Sequence, residues 1–122
     1  MIDISLSPLE RFVDAVARRD YAALEATLAP NVRFRALVPP GFREAVTAAG
    51  AREHIEGWFE DLEAIEMVER RLDPIGAVAQ ACYRLRVRYG DAPYVMQQTV
   101  LASTGEAGIE ELDMLCSGIR AE

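Results

Sequence analysis

The hydrophobic residues of this chain follow two periods in turn, and the change falls near residue 64. Before it, Leu9, Phe12, Val13, Val16 and Ala17 recur at i, i+3, i+4, i+7 and i+8, which is one apolar stripe of an α-helix. After it, Ala81, Tyr83, Leu85 and Val87 alternate with Cys82, Arg84, Arg86 and Arg88, the period of a strand with one buried face. Helices first and an antiparallel meander afterwards specify an α+β layer, with helices packed on one face of a curved sheet. The 122 residues suit a single core of roughly 100–150 residues. No repeat or linker divides them, so residues 1–122 are read as one domain.

Local signals place the elements. Ser7-Pro8-Leu9-Glu10 reads as a capping box, with Ser7 at the N-cap, Pro8 at N1 and Glu10 reaching back from N3. Asp20 is expected to cap a second helix that carries Tyr21, Leu24 and Leu28 and is stopped by Pro30. Residues 32–37 alternate as a strand. Val38-Pro39-Pro40-Gly41 breaks it, and the segment to Gly50 reads as a loop or lid. A third helix presents Ile55, Trp58, Phe59 and Leu62 on one face. Strands are expected at 64–72, 77–89, 94–103 and 109–117, with turns between them.

Charge and composition exclude several functions. Twenty acids against 13 bases give a net charge of −7, the wrong sign for a nucleic-acid partner. All the bases are arginine, and the absence of lysine removes Schiff-base chemistry. Met1-Ile2-Asp3-Ile4-Ser5 has neither the basic nor the apolar region of a secretory leader. No stretch approaches the roughly 18 apolar residues that span a bilayer, so no membrane partner is expected. Cys82 and Cys116 are neither a close pair nor at zinc-ligand spacing, and they read as reduced thiols of a cytoplasmic protein. No metal site or cofactor is expected.

Two polar residues interrupt apolar strands. An even-length hairpin at Gly90-Asp91 would set Tyr94, Met96, Gln98 and Val100 on the Leu85 face, leaving Gln98 as the polar group of an apolar wall; an odd loop would set Gln97 there. A buried glutamine must satisfy its amide with a structural partner or a ligand. Asp113 lies between Leu112 and Met114. On the surface it would be a salt-bridge partner; in a pocket, desolvation would raise its pKa and suit it to proton transfer. Tyr21, Tyr83, Trp58, Phe42 and Met96 are candidate lining residues. His54, the only histidine, sits at the edge of the third helix's apolar stripe and is a further candidate for binding the substrate. Arg84, Arg86 and Arg88 form a basic ladder on the outer strand face, paired with glutamates or set in a dimer interface.

This order of elements resembles the nuclear transport factor 2-like superfamily, in its SnoaL-like (polyketide cyclase-like) branch. The resemblance is carried by the Phe12…Asp20-Tyr21 helical pair, Ala29-Pro30-Asn31-Val32-Arg33-Phe34 and Trp58-Phe59, then by Gln97-Gln98 and Leu112-Asp113-Met114-Leu115-Cys116-Ser117-Gly118. It implies a cone-shaped roll, the sheet wrapped around about three N-terminal helices, with an internal apolar pocket and a homodimer through the outer sheet face. It also implies Asp113 as general base, because SnoaL-like cyclases use an aspartate on the last strand. Their neighbouring strand can supply a histidine where this chain has Gln98, which binds a carbonyl but relays no proton. Ketosteroid isomerases draw their base from the first strand, where residues 32–41 hold no carboxylate. Limonene epoxide hydrolases use an Arg-x-Asp pair with a second aspartate, a spacing matched by Arg71-Leu72-Asp73. The resulting expectation is a cofactor-independent isomerase, cyclase or lyase acting on a small, mostly apolar carbonyl compound. Its alternatives are a non-catalytic dimeric ligand- or protein-binding domain and a limonene-type epoxide hydrolase.

Overall fold

The computed structural model describes residues 6–39 and 41–122. Residues 1–5, on which the leader reading falls, and Pro40 of the expected break lie outside the described residues. The elements run α1 (Ser7–Arg18), α2 (Tyr21–Ala26), β1 (Leu28–Val38), β2 (Gly41–Ala45), α3 (Ala48–Phe59), β3 (Ala64–Ile75), β4 (Val78–Tyr89), β5 (Ala92–Gly105), β6 (Gly108–Cys116) and β7 (Arg120–Ala121). The fold is α+β, with a curved, unclosed sheet in the order β2-β1-β6-β5-β4-β3 and β7 paired to β5.

Every pairing in that sheet is antiparallel except one, because β1 and β6 run parallel. The expected antiparallel sheet is therefore a mixed one. Parallel neighbours need a long connection, and here α3 and the whole β3–β5 meander supply it.

The inner face of the sheet and the apolar stripes of the helices share one core. Val32, Phe34 and Ala36 of β1, Leu85 and Val87 of β4, and Leu112 and Met114 of β6 are buried together with Leu9, Phe12, Val13 and Val16 of α1 and with Ile55 and Phe59 of α3. Burial alternates along β4 and β5, as period two requires.

The helix starts follow their caps with one exception. The Asp20 carboxylate accepts from the Ala23 N–H at 3.1 Å, and Thr47 accepts from Gly50 at 3.0 Å at the head of α3. At α1, however, Leu6 holds the N-cap position without a side-chain bond, and Ser7 is the first helical residue. Its hydroxyl accepts instead from Arg11. Strand β1 begins at Leu28, so Pro30 lies inside it, at an exposed position. The segment read as a loop or lid contains β2, which pairs Leu37 with Phe42 and Phe34 with Ala45. Leu62 is buried beyond the end of α3.

Candidate functional site

A hollow of about 170 Å³ opens between the sheet and α3. Val38 and Pro39 close it from the end of β1 and Trp58 from α3. Met96 and Gln98 of β5, Cys116 at the end of β6 and the Gly118–Ile119 turn complete the wall. The turn approaches Pro39 so closely, at a glycine φ of +77°, that a Cβ on Gly118 would meet the proline ring at 3.3 Å. A side chain there would fill the mouth and strain the backbone.

Gln98 is the polar group of this wall. The hairpin between β4 and β5 pairs Tyr89 with Ala92 across Gly90 and Asp91, an even loop. Inward-facing positions on β4 therefore oppose inward-facing positions on β5, and Gln98 sits directly across from Tyr83. Gln98 is 1% exposed and Tyr83 2%. The Tyr83 hydroxyl donates to Gln98 Oε1 at 2.5 Å. Gln98 Nε2 meets only sulfur, Met96 Sδ at 3.6 Å and Cys116 Sγ at 3.5 Å, and sulfur is a weak acceptor. Burial pushes the Tyr83 hydroxyl far above its ordinary value, with the Cys116 charge adding to the effect. Tyr83 is therefore a neutral donor at all physiological pH values.

The other candidates lie elsewhere. Asp113 points to the outer face of the sheet: on β6, Leu112, Met114 and Cys116 are buried, while Asp113 shares the opposite face with exposed Glu111 and Leu115. Its Oδ1 and Oδ2 accept from Arg35 Nε and Nη2 at 2.8 and 3.0 Å. Those hydrogen bonds hold the carboxyl below its ordinary range against the opposing effect of partial burial, helped by the Arg35 and Arg33 charges. The expected pocket acid with a raised pKa is thus a surface carboxylate with a lowered one.

Phe42 is 52% exposed on β2 and does not reach the pocket. His54 is half-buried, stacked on Phe34 with ring centroids 6.1 Å apart, its Nε2 3.2 Å from the Glu44 carbonyl. Tyr21 is half-buried on α2 against the core. Its hydroxyl is buried without a hydrogen bond, and burial raises its pKa. Of the candidates, Gln98, Trp58 and Met96 line the hollow, and Tyr83 stands behind Gln98.

The Arg71–Asp73 pair is real, with Nε to Oδ2 at 2.7 Å. It lies on β3, however, three strand steps from Asp113 on β6. That is about 14 Å at the usual strand spacing, too far to converge on one water. Cys82 faces outward with Thr99, and Cys116 faces inward, so the two free thiols lie on opposite faces. Among the described residues, no group of three His, Cys, Asp or Glu side chains is placed to hold a metal.

Sequence reasoning passed over Cys116, Val38 and Ile119. The alternation Leu112, Met114, Cys116 was the available signal for the first. For the other two there was none, because they are brought to the mouth by chain segments far apart in sequence. A larger hollow, about 510 Å³, lies on the outer face between Arg84, Gln97, Thr99, Leu115 and Arg120. Its polar side chains Arg84, Gln97 and Arg120 are exposed to water, whereas the Gln98 amide is buried and faces only sulfur. The Gln98 hollow is the better candidate.

A family model of the SnoaL-like domain matches residues 9–108. No curated protein matches the chain in sequence. Among solved structures, a protein assigned to the polyketide cyclases from Xanthomonas campestris pv. campestris superposes with a TM-score of 0.73 at 14% identity, over 89% of this chain and 87% of that one. A protein with a ketosteroid isomerase-like fold from Catenulispora acidiphila, in complex with trimethylamine, gives 0.72 at 11%, over 88% and 82%. An epoxide hydrolase of the limonene type from M. tuberculosis gives 0.70 at 12%, over 92% and 81%. At these identities the likeness is one of fold.

Proposed function

The chain belongs to the SnoaL-like domain family, and from that premise we propose that it is a cytoplasmic binding domain for a small, mostly apolar carbonyl compound held against Gln98. The observation that carries the reading is the amide of Gln98: 99% buried, in a cavity wall, with its N–H groups facing only sulfur. A ligand carbonyl would be a stronger acceptor than either sulfur. The cavity volume sets the size. A cavity of about 150 Å³ holds a benzene-sized molecule, so about 170 Å³ suits a single ring or a short chain.

The reading assigns no proton transfer to Asp113. The side chains lining the hollow include no carboxylate, imidazole or amine, the usual groups of general acid–base work; Cys116 is the one titratable side chain among them, and it faces the Gln98 amide. Binding is therefore favoured over isomerase, cyclase or lyase chemistry, and no cofactor is required by it. A specific surface feature also favours the dimeric form of this reading. Phe42, Leu37 and Leu115 are 52%, 53% and 55% exposed. Register sets them side by side across β2, β1 and β6, an apolar row that a second copy of the chain would cover.

Trp58 is the only tryptophan and lines the hollow, so its fluorescence reports occupancy. Titration with single-ring ketones is expected to change it saturably in the wild type, and far more weakly in Gln98→Leu. A flat response across ketones of this size, or equal binding by Gln98→Leu, would defeat the reading.

A further inference from the structure

A primary amide presents either its oxygen or its nitrogen, and its partners decide which. We infer that Tyr83 is a positioning residue that locks Gln98 with its N–H groups toward the hollow, making the site selective for ligands that accept a hydrogen bond over ligands that donate one. This deepens the carbonyl-binding reading and rests on it.

The argument is one of complementary partners on the two ends of one amide. On one end, the Tyr83 hydroxyl donates to Oε1 at 2.5 Å. On the other, Nε2 lies near Met96 Sδ and Cys116 Sγ. A thioether carries no hydrogen. Turning the amide over would set its oxygen against Met96 with no donor in return, in a site 1% exposed, where an unpaired acceptor is expensive. Cys116 Sγ already accepts from the Gly118 N–H at 3.4 Å as well, so that sulfur also serves as an acceptor. The oxygen end is thus claimed by Tyr83, and the sulfur end favours N–H, since Met96 can only accept and Cys116, whose S–H is a weak donor, already accepts from Gly118.

The consequence is chemical selection. A ketone can accept from Nε2 and brings no donor of its own. The matching alcohol brings an O–H for which the lining side chains offer only sulfur. Such a donor left unpaired in a buried site discriminates strongly between close analogues.

The test compares cyclohexanone with cyclohexanol by Trp58 fluorescence, with the C=O stretch of ¹³C-labelled cyclohexanone as a second measurement. Wild type is expected to bind the ketone about tenfold more tightly than the alcohol, with the carbonyl stretch lowered from its value in cyclohexane solution. In Tyr83→Phe the amide is free to turn, and the preference is expected to fall to about twofold while binding of cyclohexane is unchanged. A folded Tyr83→Phe that keeps the tenfold preference overturns the inference. If that variant does not fold, the wild-type spectrum decides, and an unshifted stretch overturns the inference. No saturable binding of cyclohexanone by wild type is the different result that sinks the carbonyl reading itself.

Discussion

Arg35 and Asp113 face each other across the parallel pairing of β1 and β6, and both oxygens of the carboxylate are taken by one guanidinium. The pair belongs to a charged row that register extends to Glu44 on β2, and Arg33 bonds Glu111 one pleat along. The Asp113 carboxylate therefore helps to organise the outer surface, on the opposite side of the sheet from Gln98.

Asp113→Asn is accordingly expected to leave ligand affinity within about twofold and to lower stability at pH 7 by about 0.5–1 kcal/mol, the scale of a half-exposed ion pair. The pH dependence has a definite sign. The folded-state pKa of Asp113 is lowered, so its contribution is present above the unfolded value near 3.9 and is lost as pH falls through the lower folded value. Urea denaturation of wild type and variant should differ at pH 7 and converge as pH falls below the ordinary carboxylate range. A difference that persists in acid, or a lost ligand site, would contradict this role for the pair.

What could be read from the residues follows the distance over which each feature is decided. Gln98 was legible because period two and a two-residue turn are local, and together they set its face. Asp113 was not, because Leu112, Met114 and Leu115 surround it with apolar residues although only the first two are buried. The residue that settles its orientation, Arg35, lies 78 positions away. Strand β2 was hidden for a related reason: Gly41-Phe42-Arg43-Glu44-Ala45 has no buried face and is a strand only because β1 lies beside it. The helical stripes were legible except at their ends: Leu28, read as part of the second helix, opens β1, Leu62 lies beyond α3, and Leu6 rather than Ser7 holds the cap of α1.

Tyr83 gives an alkaline counterpart to the Asp113 experiment. Burial raises its folded-state pKa, so its contribution is complete below the unfolded tyrosine value near 10 and is lost as pH rises toward the folded one. Wild-type stability should begin to fall above about pH 10. Tyr83→Phe should flatten part of that decline, with Tyr21 and Tyr89, whose pKa values burial also raises, supplying the remainder. At pH 7 the variant should lose about 1–3 kcal/mol, because Gln98 Oε1 is left buried without its donor. Thermal unfolding from pH 7 to 11 measures both effects; an unchanged alkaline slope in Tyr83→Phe would contradict the assignment.

Gly108 opens β6 where that strand meets the start of β1, and it cannot be replaced by alanine without movement. Its φ is +117°, and an added Cβ would stand 2.7 Å from the Thr27 carbonyl oxygen and 3.3 Å from Ala29 N. Those are backbone atoms, held by the Ile109 N–H to Thr27 carbonyl bond of 2.9 Å, so neither can swing aside as a side-chain tip would. Backbone strain and close contact together predict a loss of at least about 2 kcal/mol for Gly108→Ala. Gly90→Ala is the control, since φ is +58° but nothing lies within 4 Å; strain alone should remove about 1 kcal/mol there. Equal losses at the two positions, measured by urea denaturation, would show that the Thr27 contact does not matter.

The outer apolar row makes the proposed self-association testable apart from the ligand. Leu37 and Leu115 are directly opposed on β1 and β6, and Phe42 is opposed to Leu37 on β2. Leu37 and Leu115 stand on the solvent side of strands whose other face is the core, and Phe42 is exposed beside them on β2, so a charge can be introduced at Leu115 without touching the packing around Gln98. A two-fold interface uses the same patch on both copies. Leu115→Glu would therefore set a carboxylate in each partner, doubling the repulsion and the desolvation cost at one stroke. The expectation is a dimer for wild type and a monomer for Leu115→Glu by sedimentation velocity, with the cyclohexanone response of Trp58 retained. Leu115→Arg should also dissociate it, since like charges of either sign would meet. A wild-type chain that sediments as a monomer at high micromolar concentration, or a Leu115→Glu variant that remains dimeric, would remove the outer face as the interface and leave the pocket reading standing.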